Sequence, residues 1–365
     1  MFSRVKSHLR RSSERLRTVC SAGLIMVTLT ACSVLPPKHS LRWSQLPPRP
    51  DALGGAGPFA GVSGDTLLVG GGANFPGKMP WEGGKKVWHD DVYALTGTNG
   101  IWKRVGKLPR PLAYGVSVTT AAGVICLGGS DAGRHYAEVF QLSFRDGALS
   151  VQSLPSLPLA IANAAGALVG ETLYLAGGSE TPGELSALQQ CFALNLAEKN
   201  PQWQTVPTCP GKARILPVAA SVGNYFYLFG GAALEATNAK AARSYLHDAW
   251  RYEPKQGWQR LADLPKPCVA GPTPAPEVAD DFLLLGGDDG SHVGFQPLDK
   301  HPGFAREILA YNLKTGRWRT NGLVPAPRAT LPTVYWQQHY VFPSGEVRPG
   351  MRSPEVWILN ANDCP

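Results

Sequence analysis

One acidic and one basic side chain near the end of the sequence have the types and the spacing to do proton chemistry. Glu346 follows an apolar run and a glycine, and Arg352 comes six residues later in the stretch SGEVRPGMRSPEV. A carboxylate can move a proton, and a guanidinium can bind another carboxylate through two hydrogen bonds. The turn-forming pair Pro349-Gly350 would bring Arg352 back towards Glu346. The spacing alone also fits, and favours, a structural ion pair that pins the loop.

Apolar runs that end in glycine recur along the chain, and the last of them leads directly into this stretch, so the element it forms positions Glu346. They recur about every fifty residues, at 67–72, 124–129, 173–178, 226–231, 282–287 and, in a degenerate form, 340–345. A period of this length with this signature is typical of the kelch repeat, which forms one four-stranded blade of a β-propeller. We take the carboxylate after the glycine to be peculiar to the last repeat. The sequence thus predicts an all-β fold, a six-bladed kelch-type β-propeller.

Each repeat continues with an aromatic strand and then a strand that carries a tryptophan. The tryptophans recur at one place in the repeat, as Trp102, Trp203, Trp258 and Trp318. Such regular recurrence indicates packing between blades rather than contact with a ligand. The last repeat lacks this strand, whereas a matching segment, LRWSQLP, stands at 41–47. We expect the two ends to pair and close the ring, which removes an exposed sheet edge.

Loops that follow the glycine pairs leave a propeller on one face, because its strands alternate in direction. Three of these loops are long, at 73–89, 232–247 and 288–306. Long loops concentrated on one face of a rigid ring indicate a binding face. Glu346 and Arg352 belong to this face.

The formal charge of +8 is concentrated at the amino terminus. Residues 1–31 contain six Lys or Arg and one Glu, so the rest of the chain carries 29 basic and 26 acidic residues, a net +3. Nucleic-acid binding would require basic residues clustered on the folded part of the chain. We therefore expect no nucleic-acid partner.

The first 31 residues are typical of an export signal, since a basic stretch precedes an apolar run too short to span a bilayer. The sequence LTAC that ends at Cys32 resembles the lipobox of bacterial lipoproteins, in which the cysteine is acylated. This implies a lipoprotein-type signal peptide at 1–31, a tether at 32–40 and a propeller at 41–362. The protein would be held on the outer membrane, facing the periplasm, by its lipid anchor alone. The alternative is a plain secretory signal cleaved nearby, which gives a periplasmic protein.

The cysteines and histidines give no sign of a metal site. Five cysteines follow the lipobox, and an odd number leaves at least one of them free. No spacing of cysteine and histidine matches a metal motif. A copper oxidase on a kelch scaffold would need converging histidine and tyrosine ligands, and the histidines here are scattered over different repeats. We expect neither a metal nor an organic cofactor.

The motif GEVRPGMRS at 345–353 resembles the Gly-Glu-x-x-Pro-Gly-Leu-Arg-Thr segment of the bacterial sialic acid mutarotases, or N-acetylneuraminate epimerases, which are six-bladed kelch propellers. The resemblance extends along the mature chain, but the order of the repeats is rotated, as in the cyclically permuted group of that family. Members of this group share the stretches GGANFP and PWEGGKKVWHDD, which stand here at 71–76 and 80–91. A closed ring tolerates such a permutation. The resemblance implies catalytic roles for Glu346 and Arg352.

Further site residues follow from this resemblance and from closeness to the channel. Arg214 aligns with an arginine at the start of a family repeat and is therefore predicted to bind substrate. Asn74, Tyr114 and Arg328 are also predicted to bind substrate, because they lie near the channel entrance. Loop packing or blade packing is the alternative for Asn74, Tyr114 and Arg328. The chain departs from the family pattern at Leu112, where an arginine is usual.

The activity that the resemblance implies is interconversion of the α and β anomers of N-acetylneuraminate. Glu346 would move the proton, and Arg352 would bind the carboxylate of this small sugar acid. Two other functions fit a propeller. A kelch module that binds a protein or glycan without catalysis is the main alternative, and a sialidase would carry an Asp-box instead of glycine pairs. The oligomeric state does not follow from the sequence.

Overall fold

The strands of this chain are short because tight turns, many of them at glycine, end each one. The computed structural model describes residues 41–237 and 240–360, which form thirty strands and two 3-10 helices, Pro80–Glu82 and Leu298–Lys300. Within these ranges, twenty-four strands form six four-stranded antiparallel sheets, and the other six form three two-stranded hairpins. None of the helices in the same ranges has the length and apolar character needed to cross a bilayer.

The strands follow the chain from blade to blade. Strand β1 is Trp43–Leu46. Blade 1 contains β2 (Phe59–Ser63), β3 (Thr66–Gly70), the hairpin β4 (Ala73–Asn74) and β5 (Val87–Trp88), β6 (Asp91–Thr96) and β7 (Lys103–Lys107). Blade 2 contains β8 (Val116–Thr120), β9 (Gly123–Leu127), β10 (Val139–Arg145) and β11 (Ala148–Leu154). Blade 3 contains β12 (Ala165–Val169), β13 (Thr172–Ala176), β14 (Cys191–Asn195) and β15 (Gln204–Val206).

Blades 4 to 6 complete the ring. Blade 4 contains β16 (Val218–Val222), β17 (Tyr225–Phe229), the hairpin β18 (Ala232–Thr237) and β19 (Lys240–Tyr245), β20 (Ala249–Glu253) and β21 (Gly257–Arg260). Blade 5 contains β22 (Glu277–Val278), β23 (Asp281–Leu284), β24 (Glu307–Asn312) and β25 (Arg317–Leu323). Blade 6 contains β26 (Val334–Trp336), β27 (His339–Pro343), the hairpin β28 (Glu346–Arg348) and β29 (Met351–Arg352), and β30 (Val356–Asn360).

The predicted ring closure is confirmed. Strand β1 pairs antiparallel with β30, with Trp43 opposite Leu359 and Leu46 opposite Val356, so it becomes the outer strand of blade 6. Leu46 is buried in a cluster of apolar side chains from blades 6 and 1. The described chain is therefore a six-bladed β-propeller in which the first and last strands share one sheet.

A closed circle of backbone hydrogen bonds surrounds the axis. One residue just before the first strand of each described blade donates its N–H to the carbonyl of its counterpart in the preceding blade, over 2.7–2.9 Å. The φ angles of these residues lie between 53° and 64°, a left-handed conformation that L-residues adopt at some cost. The residues of this circle, called here the axial ring, are Gly57, Tyr114, Asn163, Leu216, Ala270 and Thr330.

The predicted packing role of the recurring tryptophans is also confirmed. The indole N–H of each of them donates to a backbone carbonyl about fifty residues earlier in the chain, in the segment after the outer strand of the preceding blade. For Trp102 the acceptor is Pro47, and for Trp203 it is Pro155, at 2.8 Å in both cases. These rings therefore join neighbouring blades and do not face the axis.

The predicted signal peptide (1–31) and tether (32–40), with Cys32, lie outside the described residues, as do the last two residues of the predicted propeller range 41–362.

Candidate active site

The hairpin β28–β29 holds Glu346 and Arg352 opposite each other. The two residues are register partners in this hairpin, and the turn between them contains Pro349 and Gly350. Arg352 Nη2 lies 3.2 Å from Glu346 Oε1, and the Gly350 N–H donates to the same oxygen over 2.8 Å. In the part of the chain that the structure describes, both contacts of the Glu346 carboxylate involve Oε1, which leaves Oε2 open to a ligand.

This pair lines a cavity of about 500 Å³ at one mouth of the propeller. The volume is in the range of small-molecule sites. Five of the six residues of the axial ring line it, together with residues of the loops that follow the glycine pairs. Besides Glu346 and Arg352, the charged and titratable residues that line it are Lys86, Asp131, His135, Arg243 and Asp288.

Arg352 is buried but has donors without acceptors. Its side chain is 4% exposed and lies over the ring of Phe75, with 4.8 Å from the guanidinium carbon to the ring centroid. Its Nε and Nη1 have no hydrogen-bond partner among the described residues. The buried indole Nε1 of Trp88, which lines the same cavity, has none either. Unpaired buried donors are costly, so this wall of the cavity is suited to an anion that accepts hydrogen bonds.

Lys86 adds a second positive charge to this wall. Its ammonium nitrogen lies 5.9 Å from the ring centroid of Phe75, 5.6 Å from that of Trp88 and 5.2 Å from that of Tyr114. Phe75 thus contacts both Lys86 and Arg352. Aromatic faces hold a cation in place without neutralising its charge, so Lys86 can still attract an anionic ligand.

The carboxylate after the glycine is not peculiar to the last repeat, and that expectation was wrong. Each residue at this position forms an isolated β-bridge to a residue beside the axial ring, which makes the six positions structurally equivalent in the described blades. Blade 5 carries Asp288 at this position, directly after Gly286-Gly287, and blade 6 carries Glu346. The sequence signal for this carboxylate is the triplet Gly-Gly-Asp at 286–288.

Asp288 is held by two hydrogen bonds. The Tyr245 hydroxyl donates to its Oδ2 over 2.5 Å, and the Gly290 N–H donates to its Oδ1 over 2.9 Å. Burial, together with this hydrogen bond to Asp288, raises the pKa of Tyr245 well above its ordinary value. The phenol therefore stays protonated at neutral pH and remains the donor.

The prediction that Arg214 binds substrate is not supported by the structure. Its guanidinium is 2% exposed and forms a two-pronged ion pair with Asp248, at 2.8 and 2.6 Å, outside the cavity. Burial alone would raise the pKa of Asp248, but the hydrogen bonds and charge of Arg214 outweigh this and hold that pKa below its usual range. A buried bidentate pair of this kind fixes the loop geometry of blade 4.

Arg328 occupies the equivalent position two blades further on and has the same role. Its buried guanidinium pairs with Glu355 and donates to the Ser344 carbonyl over 2.9 Å. Burial lowers the pKa of Arg328 against the opposing effect of Glu355. Arg328 does not line the cavity, although its buried Nε has no hydrogen-bond partner among the described residues, so its predicted substrate contact finds no support in this geometry.

Of the two other residues predicted to bind substrate, Asn74 and Tyr114, only Tyr114 lines the cavity. Asn74 is buried, donates to the Gly54 carbonyl over 2.7 Å and contacts His89 Nε2 through its Oδ1 at 2.8 Å. It does not line the cavity, so the structure assigns it to loop packing instead of substrate binding. Tyr114 does line the cavity, as part of the axial ring, with Glu346 and Arg352. The structure thus brings together three of the six predicted site residues.

His135 is a cavity residue that the sequence did not single out. It is buried, and its Nδ1 lies 3.0 Å from the carbonyl of Ser179. Burial lowers the pKa of His135 below its ordinary value, so the ring is neutral at pH 7. No sequence signal separated this histidine from those in other loops.

Comparisons with known proteins agree with this architecture. Residues 26–151 and 154–292 match the family model of N-acetylneuraminate epimerase. N-acetylneuraminate epimerase of Haemophilus influenzae (strain PittEE) is 29% identical over 232 residues, which cover 57% of this chain and 59% of that protein. The same enzyme of Salmonella enteritidis PT4 (strain P125109) is 44% identical over 125 residues, 31% of this chain and 32% of that protein. The chain thus matches less than two thirds of the length of these curated relatives.

A solved structure shares the fold. The structure of YjhT superposes with a TM-score of 0.65 at 14% identity, over 87% of this chain and 97% of that one. The family model covers well over half of the chain. The chain therefore belongs to the N-acetylneuraminate epimerase family.

Proposed function

We propose that this protein is an isomerase that interconverts the α and β anomers of N-acetylneuraminate. The observation that carries the proposal is the Glu346–Arg352 hairpin. It places a carboxylate with one open oxygen beside a buried guanidinium with unpaired donors, in a cavity of sugar size. Family membership supplies the class of substrate.

The cavity wall accounts for recognition of a sugar acid. Arg352 Nε and Nη1 and the indole N–H of Trp88 offer hydrogen bonds to the substrate carboxylate, and Lys86 adds a positive charge that forms no ion pair among the described residues. A carboxylate bound by charged donors in a partly dry site gains more than a neutral hydroxyl would. A neutral aldose of similar size should therefore bind weakly.

Glu346 acts on the anomeric centre. Its Oε2 takes the proton of the anomeric hydroxyl, the bond between the anomeric carbon and the ring oxygen breaks, and that oxygen receives a proton from an acid group of the cavity. Closure on the other face of the resulting ketone reverses these transfers and gives the other anomer. Proton transfer by a positioned side chain accelerates such steps by about 10² to 10⁴-fold.

The decisive experiment follows anomer exchange by NMR. Freshly released α-N-acetylneuraminate is mixed with catalytic amounts of the protein, and the approach to anomeric equilibrium is compared with that in heat-denatured protein. We expect the protein to accelerate equilibration of the sugar acid. We expect no acceleration for N-acetylglucosamine, which lacks the carboxylate. An unchanged rate for the sugar acid, with the protein folded by circular dichroism, would reject the proposal and leave a non-catalytic binding module.

We also propose that Cys32 is acylated and that the protein is a lipoprotein of the outer membrane, facing the periplasm. The support is the LTAC sequence that ends at Cys32 after a basic and apolar leader. Detergent-phase partitioning of the expressed full chain tests this. The unaltered protein should enter the detergent phase and Cys32→Ser should not. Recovery of both proteins in the aqueous phase would contradict the lipid anchor.

A further inference from the structure

Mutarotation moves protons at two oxygens attached to one carbon, the anomeric hydroxyl and the ring oxygen. A carboxylate with both of its oxygens open could contact both of these sugar oxygens at once. Glu346 Oε1 accepts from the Gly350 N–H at 2.8 Å and lies 3.2 Å from Arg352 Nη2. Among the described contacts Oε2 has none, so Glu346 can exchange a proton with one sugar oxygen at a time, and a second group in the cavity would serve the other oxygen.

Asp288 is placed to be that group. It occupies in blade 5 the position that Glu346 occupies in the adjacent blade 6, and both line the same cavity. The Tyr245 hydroxyl and the Gly290 N–H each bond one of its oxygens, which fixes the plane of the carboxylate. A carboxylate oxygen can accept more than one hydrogen bond, so each oxygen keeps capacity for a ligand.

The other acid and base groups of the cavity are less suitable. Asp131 lies on a loop of blade 2, and its Oδ1 already accepts from two backbone N–H groups of that loop. His135 lies on the same loop of blade 2, two blades away from Glu346. Asp288 is one blade away, and the axial ring joins its blade directly to that of Glu346 through the hydrogen bond from Thr330 to Ala270.

We propose that Asp288 is a second catalytic residue, which exchanges a proton with the sugar oxygen that Glu346 does not contact. This inference rests on the proposed function. Between them the two carboxyl groups need one transferable proton. The ionised group takes the proton of the anomeric hydroxyl, the electrons of the breaking bond pass to the ring oxygen, and the protonated group supplies the proton there. Closure reverses the transfer, so no proton is gained or lost.

The test compares two neighbouring aspartates. Asp289 differs from Asp288 by one position, but it lines a separate cavity of about 290 Å³ and bonds Ser291. Saturation-transfer NMR at several N-acetylneuraminate concentrations gives kcat and KM for Asp288→Asn, Asp289→Asn and the unaltered protein. We expect Asp288→Asn to lose about 10²-fold in kcat with KM changed less than threefold, and Asp289→Asn to match the unaltered protein.

A second variant separates chemistry from structure. Asp288→Ser removes the carboxyl group and leaves space, and added formate should restore part of its exchange rate while having no effect on Asp289→Asn. A kcat above half that of the unaltered protein in Asp288→Asn, or equal losses in both asparagine variants, would overturn the inference while leaving the proposed function in place. Absence of any acceleration by the unaltered protein would overturn both.

Discussion

Replacing Arg214 with methionine should destabilise the propeller without weakening substrate binding. The guanidinium is 2% exposed and makes two short contacts with Asp248, a bond of 2.9 Å to the Gly230 carbonyl and one of 3.1 Å to the Lys212 carbonyl. Arg214→Met leaves the 14% exposed carboxylate of Asp248 with the indole N–H of Trp250 and its own backbone N–H, but without its ion-pair partner. Breaking a buried pair in this way costs about 3–5 kcal/mol.

Urea denaturation followed by tryptophan fluorescence measures this loss. We expect the free energy of unfolding to fall by about 3–5 kcal/mol and the thermal midpoint to fall by roughly 10 °C. The double variant Arg214→Met with Asp248→Asn should recover part of the loss, because no unpaired charge remains. Lys212→Met breaks only an exposed pair with Glu235 and is the control, with an expected change within about 0.5 kcal/mol.

The kinetic result separates the two roles of Arg214. Because Arg214 does not line the cavity, KM for N-acetylneuraminate should stay within about twofold in the molecules that remain folded. A KM raised tenfold or more, with stability unchanged, would refute the structural role and reinstate the substrate contact predicted from the sequence.

Three further changes have defined outcomes. Lys86→Met should raise KM for the sugar acid about tenfold with kcat little changed, whereas Lys85→Met, at the exposed neighbouring position, should change neither constant. Equal effects of the two substitutions in saturation-transfer kinetics would contradict the anion-binding role of Lys86. Burial lowers the pKa of His135, so the contribution of the neutral ring to stability is present above pH 6.5 and is lost as pH falls towards the folded-state pKa. The difference in thermal midpoint between the unaltered protein and His135→Asn should therefore shrink from pH 7.5 to pH 5. A difference that does not depend on pH would contradict this. In the closing strand, Leu46→Ala should cost about 2–5 kcal/mol in urea denaturation and the exposed Gln45→Ala less than about 0.5, and similar values would argue against closure by β1.

The fold was predictable because its determinants are local and repeated. Glycine pairs with positive φ end the second strand of most blades, and the tryptophans after the third strand reach back to the preceding blade. Both features recur about every fifty residues, so a single sequence shows them. The axial ring was not predictable, because its members range from Gly57 to Tyr114 and Thr330 and share only a backbone conformation.

The site was only partly predictable, and the failures share a cause. Arg214 and Arg328 stand near the axis and could have bound a sugar acid, but their carboxylate partners lie 34 and 27 residues away in sequence. Only the fold shows that these charges are already paired. Glu346 and Arg352 were recognised because both members of their pair lie in one hairpin. Asp288 was not predicted, because the residue after the glycine pair differs from blade to blade and its equivalence to Glu346 shows only in the fold.

The most direct test of the account is the rate of anomer exchange in Glu346→Gln. Glutamine keeps the size of the side chain and an oxygen that can accept the Gly350 N–H, but it has no carboxylate to take a proton. With freshly released α-N-acetylneuraminate and a folded protein, we expect the acceleration seen with the unaltered chain to fall by at least about 10²-fold. Exchange at the unaltered rate would show that Glu346 is not the proton carrier.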